Sequence, residues 1–325
     1  MNEIRNIFLT EVSAEIKKPK YTLILCHKSP DPDTLGSAFG LKILLEHFGS
    51  KVVVACADKP SPRFDFITGG STLEYKEDTY ERIIAVDVAS PMQLGDLEFL
   101  APRVEITIDH HAMNTRFSNY YEMFCAACAE IIMELAQSTL RIFDALPMQF
   151  YNCVYAGISG DTGCFKYSNT NYRTMKFGAD LIAKGIDHAE INRIIFDSKT
   201  QGEIRALKLL YERIEYFYNG QLAIALFTNE DKQKYDFTDD DISDIITPIR
   251  SINTVKVAVS IKETSKAGIY SISSRSNTSE IDVGSLCAAV GGGGHVRAAG
   301  ARISAHSPKD ALEQVIALFS KPFEK

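Results

Sequence analysis

The chain has 325 residues, of which 45% are hydrophobic and 24% charged, and its formal net charge is −7. This composition excludes a disordered or fibrous protein, and neither half is basic enough to indicate a long nucleic-acid duplex as a partner. No apolar stretch reaches the roughly 20 residues that span a bilayer. The seven scattered cysteines lack the spacing of a disulfide framework, so we expect a cytoplasmic protein of about two domains.

The first half alternates short apolar runs with longer amphipathic segments. Strands are predicted at residues 21–26, 51–55, 82–86 and 105–108, and helices at 34–48, 125–140, 147–159 and 171–184. This alternation is typical of an α/β domain with a mostly parallel, doubly wound sheet. We predict that this domain covers residues 1–187 and that a helical connector follows over residues 188–214.

The second half has a different pattern. Strands are predicted at residues 222–228, 254–261, 268–274 and 299–304, helices at 281–290 and 308–319, and an acidic helix start at 236–244. The two middle strands are separated by a short turn-rich segment, which is typical of an antiparallel pair. We therefore predict a smaller α/β domain with a mixed sheet over residues 215–325.

The first candidate site follows the first predicted strand. His27 ends that strand, and Asp31 and Asp33 lie four and six residues further on, in a turn that contains prolines. Side chains at the carboxyl end of a parallel strand project into the crevice where open α/β sheets bind ligands. The helix predicted from Thr34 would also direct amide groups at a phosphate there. The alternative is a solvated turn in which Asp33 caps the helix.

Three further clusters also follow apolar segments. Asp87 comes directly after the third strand, the triplet Asp109-His110-His111 after the fourth, and Asp161 after a long apolar helix. A buried aspartate is costly unless it is paired, hydrogen-bonded or bound to a metal. In the triplet, two side chains can face the crevice while the third supports them from behind. The alternatives are a turn-capping aspartate and a polar strand end that faces water.

Together these clusters supply more ligands than one ion needs. Imidazole and carboxylate groups suit Zn, Mn or Fe rather than Ca. Two divalent ions about 3.5–4 Å apart, sharing a carboxylate, would clamp the oxygens of a phosphoryl transfer. The residues therefore favour a two-metal phosphohydrolase.

A glycine run at residues 291–294 precedes His295 and Arg297. Successive glycines free the backbone to wrap around an anion, and a histidine or arginine adds charged donors. Arg275 could reach the same pocket from a neighbouring strand. The alternative is a flexible hinge.

These motifs resemble the DHH phosphoesterase superfamily, named for the triplet that is here Asp109-His110-His111. HKSPDPDTLGS at 27–37 resembles its first motif, Asp87 its second, and AGISGDTGCFKYSNT at 156–170 its fourth. GGGGHVRAAG at 291–300 resembles the glycine-rich signature of the DHH-associated C-terminal domain. The resemblance covers about residues 20–305, and the length is similar to that of the NrnA-like branch. That branch comprises oligoribonucleases that also dephosphorylate 3′-phosphoadenosine 5′-phosphate (pAp).

The resemblance implies a set of roles for individual residues. One ion, most often Mn²⁺ with Mg²⁺ or Co²⁺ as alternatives, would be bound by His27, Asp31 and Asp87. The other would be bound by Asp33, Asp87, His110 and Asp161. His111 would act with Asp87 and Asp161 in catalysis, contacting the phosphate or protonating the leaving oxygen. Arg275, Gly293, Gly294 and His295 would bind the base or the far phosphate.

The implied substrates are short oligonucleotides (nano-RNA and linear dinucleotides) or mononucleotide bisphosphates such as pAp, with no membrane partner. Three alternatives stay open at this point: a cyclic-dinucleotide phosphodiesterase, an inorganic pyrophosphatase or exopolyphosphatase, and a nucleotide-sensing module without activity. A homodimer is also possible.

Overall fold

The computed structural model describes residues 5–111, 115–122, 124–140 and 146–323. The chain divides into two compact units, residues 1–198 and 199–325. The division falls inside the stretch predicted to be a helical connector. Among the described residues, no helix is both long enough and apolar enough to cross a membrane.

The first unit contains one parallel sheet. Its strands are β1 (Tyr21–Leu25), β2 (Lys51–Ala55), β3 (Arg82–Val86), β4 (Ile106–Asp109) and β5 (Asn119–Glu122). Its α-helices are α1 (Leu9–Ile16), α2 (Pro32–His47), α3 (Asp65–Thr68), α4 (Cys128–Thr139), α5 (Met148–Asp161), α6 (Tyr172–Ala183) and α7 (His188–Asn192). The strand order is β2-β1-β3-β4-β5, and every pair is parallel. The predicted parallel α/β domain is confirmed.

The two faces of this sheet are covered by different structures. Ile24 and Ile84 belong to a large core that includes the apolar sides of α2, α4 and α5. Leu23 and Leu25 point to the opposite face, where they pack with a 3₁₀-helical segment, Pro91–Arg103. Because successive strand residues alternate between faces, β1, β2 and β3 each contribute to both cores.

Glycines let α2 and α5 approach each other closely. A Cβ atom at Gly36 would clash with the Cys153 carbonyl oxygen of α5. A Cβ atom at Gly157 would lie 2.6 Å from Ala129 Cβ and 2.8 Å from Asp33 Oδ1. The packing of three helices therefore fixes the position of the Asp33 carboxylate.

The second unit contains one mixed sheet. Its strands are β6 (Glu215–Phe217), β7 (Leu222–Phe227), β8 (Val257–Glu263), β9 (Ile269–Ser276), β10 (Gly293–His295) and β11 (Ala298–Ser304). Its helices are α8 (Gln201–Arg213), α9 (Asn229–Tyr235), α10 (Ile246–Arg250), α11 (Val283–Ala288) and α12 (Pro308–Ser320). In the order β10-β11-β9-β8-β7-β6, only β7 and β8 pair in parallel. The predicted mixed sheet is confirmed.

Several local predictions differ from the structure. Helix α2 begins at Pro32 rather than Thr34, because the Asp31 carboxylate accepts hydrogen bonds from the N–H groups of Asp33 (2.9 Å) and Thr34 (3.0 Å). Asp31 therefore caps this helix, and the alternative in which Asp33 is the cap is wrong. The acidic segment at 236–244 forms only a short 3₁₀ turn, Asp240–Ile242, instead of starting a helix.

Candidate metal centre

The candidate centre lies at the carboxyl edge of the parallel sheet. Strands β1 and β3 are neighbours, although the chain runs from β1 outward to β2 before it returns to β3. Such a switch point leaves a crevice beyond the carboxyl ends of the two strands, where α/β sheets bind ligands. His27 lies two residues beyond β1, Asp87 directly follows β3, and Asp109 ends β4.

One group of donor atoms joins the β1 and β3 ends. His27 Nε2 lies 3.7 Å from Asp31 Oδ1 and 3.4 Å from Asp87 Oδ2. One donor atom from each of these three residues lies within 4.8 Å of the other two, which is close enough to ligate a common ion.

A second group centres on His110. Its Nε2 atom lies 3.3 Å from Asp161 Oδ2, 3.4 Å from Asp87 Oδ1 and 3.8 Å from Asp33 Oδ2. The donor atoms of Asp33, His110 and Asp161 also lie within 4.8 Å of one another, as do those of Asp87, His110 and His111. The two oxygens of Asp87 thus face two different histidines.

Asp87 has an unmet requirement for a ligand. Its side chain is buried, and no described residue donates a hydrogen bond to its Oδ1 atom. Its backbone has a φ of 58°, a left-handed conformation that aspartate tolerates better than most residues, and its N–H group donates to the Ile108 carbonyl (2.8 Å). A buried, unsatisfied carboxylate oxygen between two imidazoles fits a cation-binding role.

The electrostatics of the cluster also fit bound cations. Burial and the neighbouring Asp87 carboxylate raise the pKa of Asp33 to about 7, and burial together with Asp33 raises the pKa of Asp161 well above its usual value. Burial also opposes the charged imidazoles, but their aspartate contacts outweigh it and raise the pKa of His27 to about 11 and of His110 to about 10. Divalent ions would compensate these crowded carboxylates and displace the imidazole protons.

Both histidines of the triplet are oriented by oxygen atoms that contact their Nδ1 atoms. His110 Nδ1 lies 3.3 Å from the Cys125 carbonyl oxygen, which directs Nε2 toward the aspartates. His111 Nδ1 lies 2.6 Å from Oδ1 of the fully buried Asp109, and this hydrogen bond raises the pKa of His111. Asp109 Oδ1 also accepts from the N–H groups of His110 (2.8 Å) and His111 (3.3 Å).

Two supporting contacts have no counterpart in the sequence analysis. The N–H groups of Cys128 (2.6 Å) and Ala129 (2.9 Å), at the start of α4, donate to the Asp33 carboxylate. The Asn169 carboxamide donates to the carbonyl oxygens of Asp161 and Ala126, both at 3.1 Å. Neither set of hydrogen bonds could be predicted from a local sequence pattern, because the tertiary fold brings the donors and acceptors together.

The candidate substrate residues of the second unit lie on adjacent strands. Gly293, Gly294 and His295 form β10, so half of the glycine run is an exposed edge strand rather than a turn. His295 and Arg275 both pair with Ala298 of β11, from opposite sides. Directly paired residues project from the same face of a sheet, so Arg275 and His295 flank the small Ala298 side chain. The structure thereby brings these two residues together.

The comparisons with known proteins agree with this fold. The sequence model of the DHH family, N-terminal domain, matches residues 21–158, and that of the DHHA1 domain matches residues 216–323. The chain belongs to the DHH family of phosphoesterases, a class of metal-dependent hydrolases.

Particular relatives share most of the chain. It is 29% identical over 294 residues to the probable bifunctional oligoribonuclease and PAP phosphatase NrnA of Streptococcus mutans, covering 89% of this chain and 92% of the relative. It is 26% identical over 300 residues to the bifunctional oligoribonuclease and PAP phosphatase NrnA of Bacillus subtilis, covering 90% and 93%. A crystal structure of an exopolyphosphatase-related protein from Bacteroides fragilis has the same fold, with a TM-score of 0.86, 21% identity and coverage of 97% and 95%.

Proposed function

We propose that this chain is a two-metal phosphoesterase that hydrolyses short oligonucleotides, including nano-RNA and linear dinucleotides, and 3′-phosphoadenosine 5′-phosphate. The observation that carries the proposal is the position of Asp87, whose Oδ2 lies 3.4 Å from His27 Nε2 and whose Oδ1 lies 3.4 Å from His110 Nε2, so that it faces two sets of side chains that could hold a metal ion. The names of the two NrnA relatives support the substrate class.

In this proposal the two groups hold one ion each. His27, Asp31 and Asp87 would bind the first, and Asp33, Asp87, His110 and Asp161 would bind the second. Carboxylate and imidazole ligands suit Mn²⁺, and Mg²⁺ and Co²⁺ are alternatives. When bound, the ions would clamp the oxygens of the phosphoryl group and acidify a water molecule.

The protein groups around the ions would position the substrate and move a proton. His111 is held by Asp109 through Nδ1, which leaves Nε2 on the side of the ring opposite this carboxylate. From this position His111 would contact the phosphate or donate a proton to the leaving oxygen, a contribution of roughly 10²–10⁴-fold. Asp109 would keep the imidazole in the correct tautomer and orientation.

In the second unit, Arg275, Gly293, Gly294 and His295 would bind the base or the far phosphate of the substrate. The glycines leave the backbone of β10 open to close approach, and the Arg275 guanidinium supplies a charge-assisted donor. A short substrate agrees with the net charge of −7, since tracking a long strand requires a basic groove. All seven cysteines are free thiols, and we propose a cytoplasmic location on that ground.

A substrate panel with Mn²⁺ tests the proposal. Initial rates would be measured for pAp, a linear diadenylate, cyclic di-AMP and inorganic pyrophosphate, with an Asp87→Asn protein purified in parallel to exclude contaminating hydrolases. We expect the linear diadenylate and pAp to give the highest kcat/KM. Preferred turnover of cyclic di-AMP would assign the chain to cyclic-dinucleotide hydrolysis instead, and preferred turnover of pyrophosphate would overturn the nucleotide assignment.

A further inference from the structure

A half-exposed tyrosine packs on the turn that follows the candidate ligand Asp161, and the reaction outlined above gives it no role. Tyr167 is 47% exposed. Its aromatic ring packs over Gly163, where a Cβ atom would clash with the ring. Gly163 is only two residues beyond Asp161, so the ring packs on the turn that directly follows this candidate ligand.

An unusual backbone conformation places the ring there. Gly163, Cys164 and Phe165 all have positive φ values, of 57°, 58° and 61°. Cysteine and phenylalanine adopt this conformation only when the surrounding structure enforces it, and such strain clusters at functional sites. The three residues reverse the chain, so that the Tyr167 N–H group donates to the Thr162 carbonyl (2.9 Å).

The two aromatic residues of this loop have opposite environments. Phe165 points inward, where its ring lies 5.9 Å from that of Tyr155 and packs against Gly178 of α6. Tyr167 stays at the surface. The ring of Phe165 explains how the loop is anchored in the core, but packing does not explain the large exposed aromatic side chain at Tyr167.

Asn169 fixes the other end of the loop to the metal centre. Its carboxamide bridges the carbonyl oxygens of Asp161, at the end of α5, and Ala126, which precedes α4. The loop that carries Tyr167 is therefore tied to Asp161 at both ends, and the Tyr167 ring packs against Gly163 while the rest of the side chain stays exposed.

We propose that Tyr167 is a stacking platform for a nucleobase of the substrate, adjacent to the phosphate that is hydrolysed. The inference rests on the proposed function and narrows it to substrates that carry a base. Every base has an aromatic face, so stacking on tyrosine selects nucleotides over inorganic phosphates without selecting a sequence. A preorganised ring also loses little conformational freedom when the substrate binds.

The first test compares Tyr167→Ala with the parent protein on three Mn²⁺-dependent reactions. The substrates are a diadenylate and two analogues that lack the base of the 5′ or of the 3′ nucleotide. We expect Tyr167→Ala to lower kcat/KM for the diadenylate roughly 5- to 150-fold, mainly through KM, and Tyr167→Phe to retain it. For one of the two abasic analogues, Tyr167→Ala and the parent should be equal within roughly twofold. An equal loss on all three substrates, or no loss on any, would overturn the proposal.

The second test does not depend on turnover. The chain contains no tryptophan, so Tyr167→Trp introduces the sole indole. We expect its fluorescence to be quenched when the diadenylate is added in a stopped-flow experiment, before hydrolysis, and to be unaffected by pyrophosphate. Absence of quenching in a folded Tyr167→Trp protein would count against stacking.

A matched control is available at the opposite edge of the sheet. Phe99 is 61% exposed and contacts Tyr75, which leads through Tyr80 to Tyr21 at the start of β1. Phe99→Trp should give no quenching, and Phe99→Ala should leave all three reactions unchanged. If the parent protein hydrolyses pyrophosphate but no nucleotide, the proposed function itself fails. If the proposed function holds and only the stacking role is wrong, Tyr167→Ala will hydrolyse the diadenylate as well as the parent protein does.

Discussion

Asp109 and His111, at the end of β4, are joined by a hydrogen bond of 2.6 Å between Oδ1 and Nδ1. The carboxylate is fully buried, whereas the imidazole is partly accessible at the metal centre. An aspartate behind a histidine fixes the tautomer and ring orientation of that histidine. The first residue of the triplet is thus hydrogen-bonded to the third, and among the described residues it belongs to none of the groups that could hold an ion.

Asp109→Asn tests this relationship. The amide retains the shape of the side chain but removes the negative charge that holds His111, so we expect kcat to fall roughly 10- to 100-fold. Mn²⁺ binding, measured by calorimetry, should be retained because Asp109 is outside the proposed ligand groups. Asp180→Asn, which changes an exposed carboxylate of α6, is the control. An unaltered kcat in Asp109→Asn would remove the positioning role.

Mn²⁺ should stabilise the first unit against unfolding. Burial and the Asp87 carboxylate raise the pKa of Asp33, burial and the Asp33 carboxylate raise the pKa of Asp161, and bound cations would relieve these effects. A ligand that binds only the folded state stabilises it by roughly 2.7 kcal/mol when its concentration is one hundred times Kd. Thermal unfolding with Mn²⁺ and with EDTA measures the difference. In Asp87→Asn the shift should fall below roughly half, and an identical shift would contradict the shared ligand.

Gly157→Ala should displace the Asp33 carboxylate, although the two residues are far apart in the sequence. The new methyl group would lie 2.6 Å from Ala129 Cβ and 2.8 Å from Asp33 Oδ1, so the helices must separate. Overpacking of this kind costs about 1–3 kcal/mol, which urea unfolding would measure, and we expect weaker Mn²⁺ binding as well. Gly40→Ala, where the nearest atoms belong to side chains at 3.2 and 3.4 Å, is the milder comparison. Equal effects of the two substitutions would refute this account.

Arg275→Ala tests the proposed substrate-binding role of the second unit. Arg275 shares a sheet face with His295, on either side of Ala298. Loss of a charge-assisted hydrogen bond to a phosphate should raise KM for pAp or diadenylate roughly 10- to 100-fold, with a smaller effect on kcat. Lys309→Ala removes a highly exposed charge from α12 and should leave KM unchanged. A normal KM in Arg275→Ala would place this arginine outside the substrate site.

The sequence predicted the sheet well because its strands are strongly apolar. The run RIIAV is a strand at Arg82–Val86, and KVVVA at Lys51–Ala55 has the predicted bounds. The strand β5 was missed because NYYE is short and has no apolar alternation. The strand β10 was missed because its glycines suggest a turn, and only pairing with β11 makes it extended.

For the candidate site, the residues at strand ends could be predicted from the sequence. The hydrogen bonds that hold their side chains in place could not. His27 and Asp87 could be placed in one crevice because parallel strands end at a common edge. The contact of Asp33 with the start of α4 depends on how distant helices pack, which no local pattern encodes. The reversed loop at Cys164 and Phe165 also requires the tertiary structure, since neither residue favours a positive φ.

The spread of the donor side chains along the chain has a consequence for biosynthesis. His27 appears early, but Asp161 completes the second group 134 residues later, at the end of α5. A nascent polypeptide that has not yet released α5 from the ribosome therefore lacks the full set of donors. The proposed metal centre could therefore assemble only about halfway through translation, after every strand of the first sheet has been synthesised.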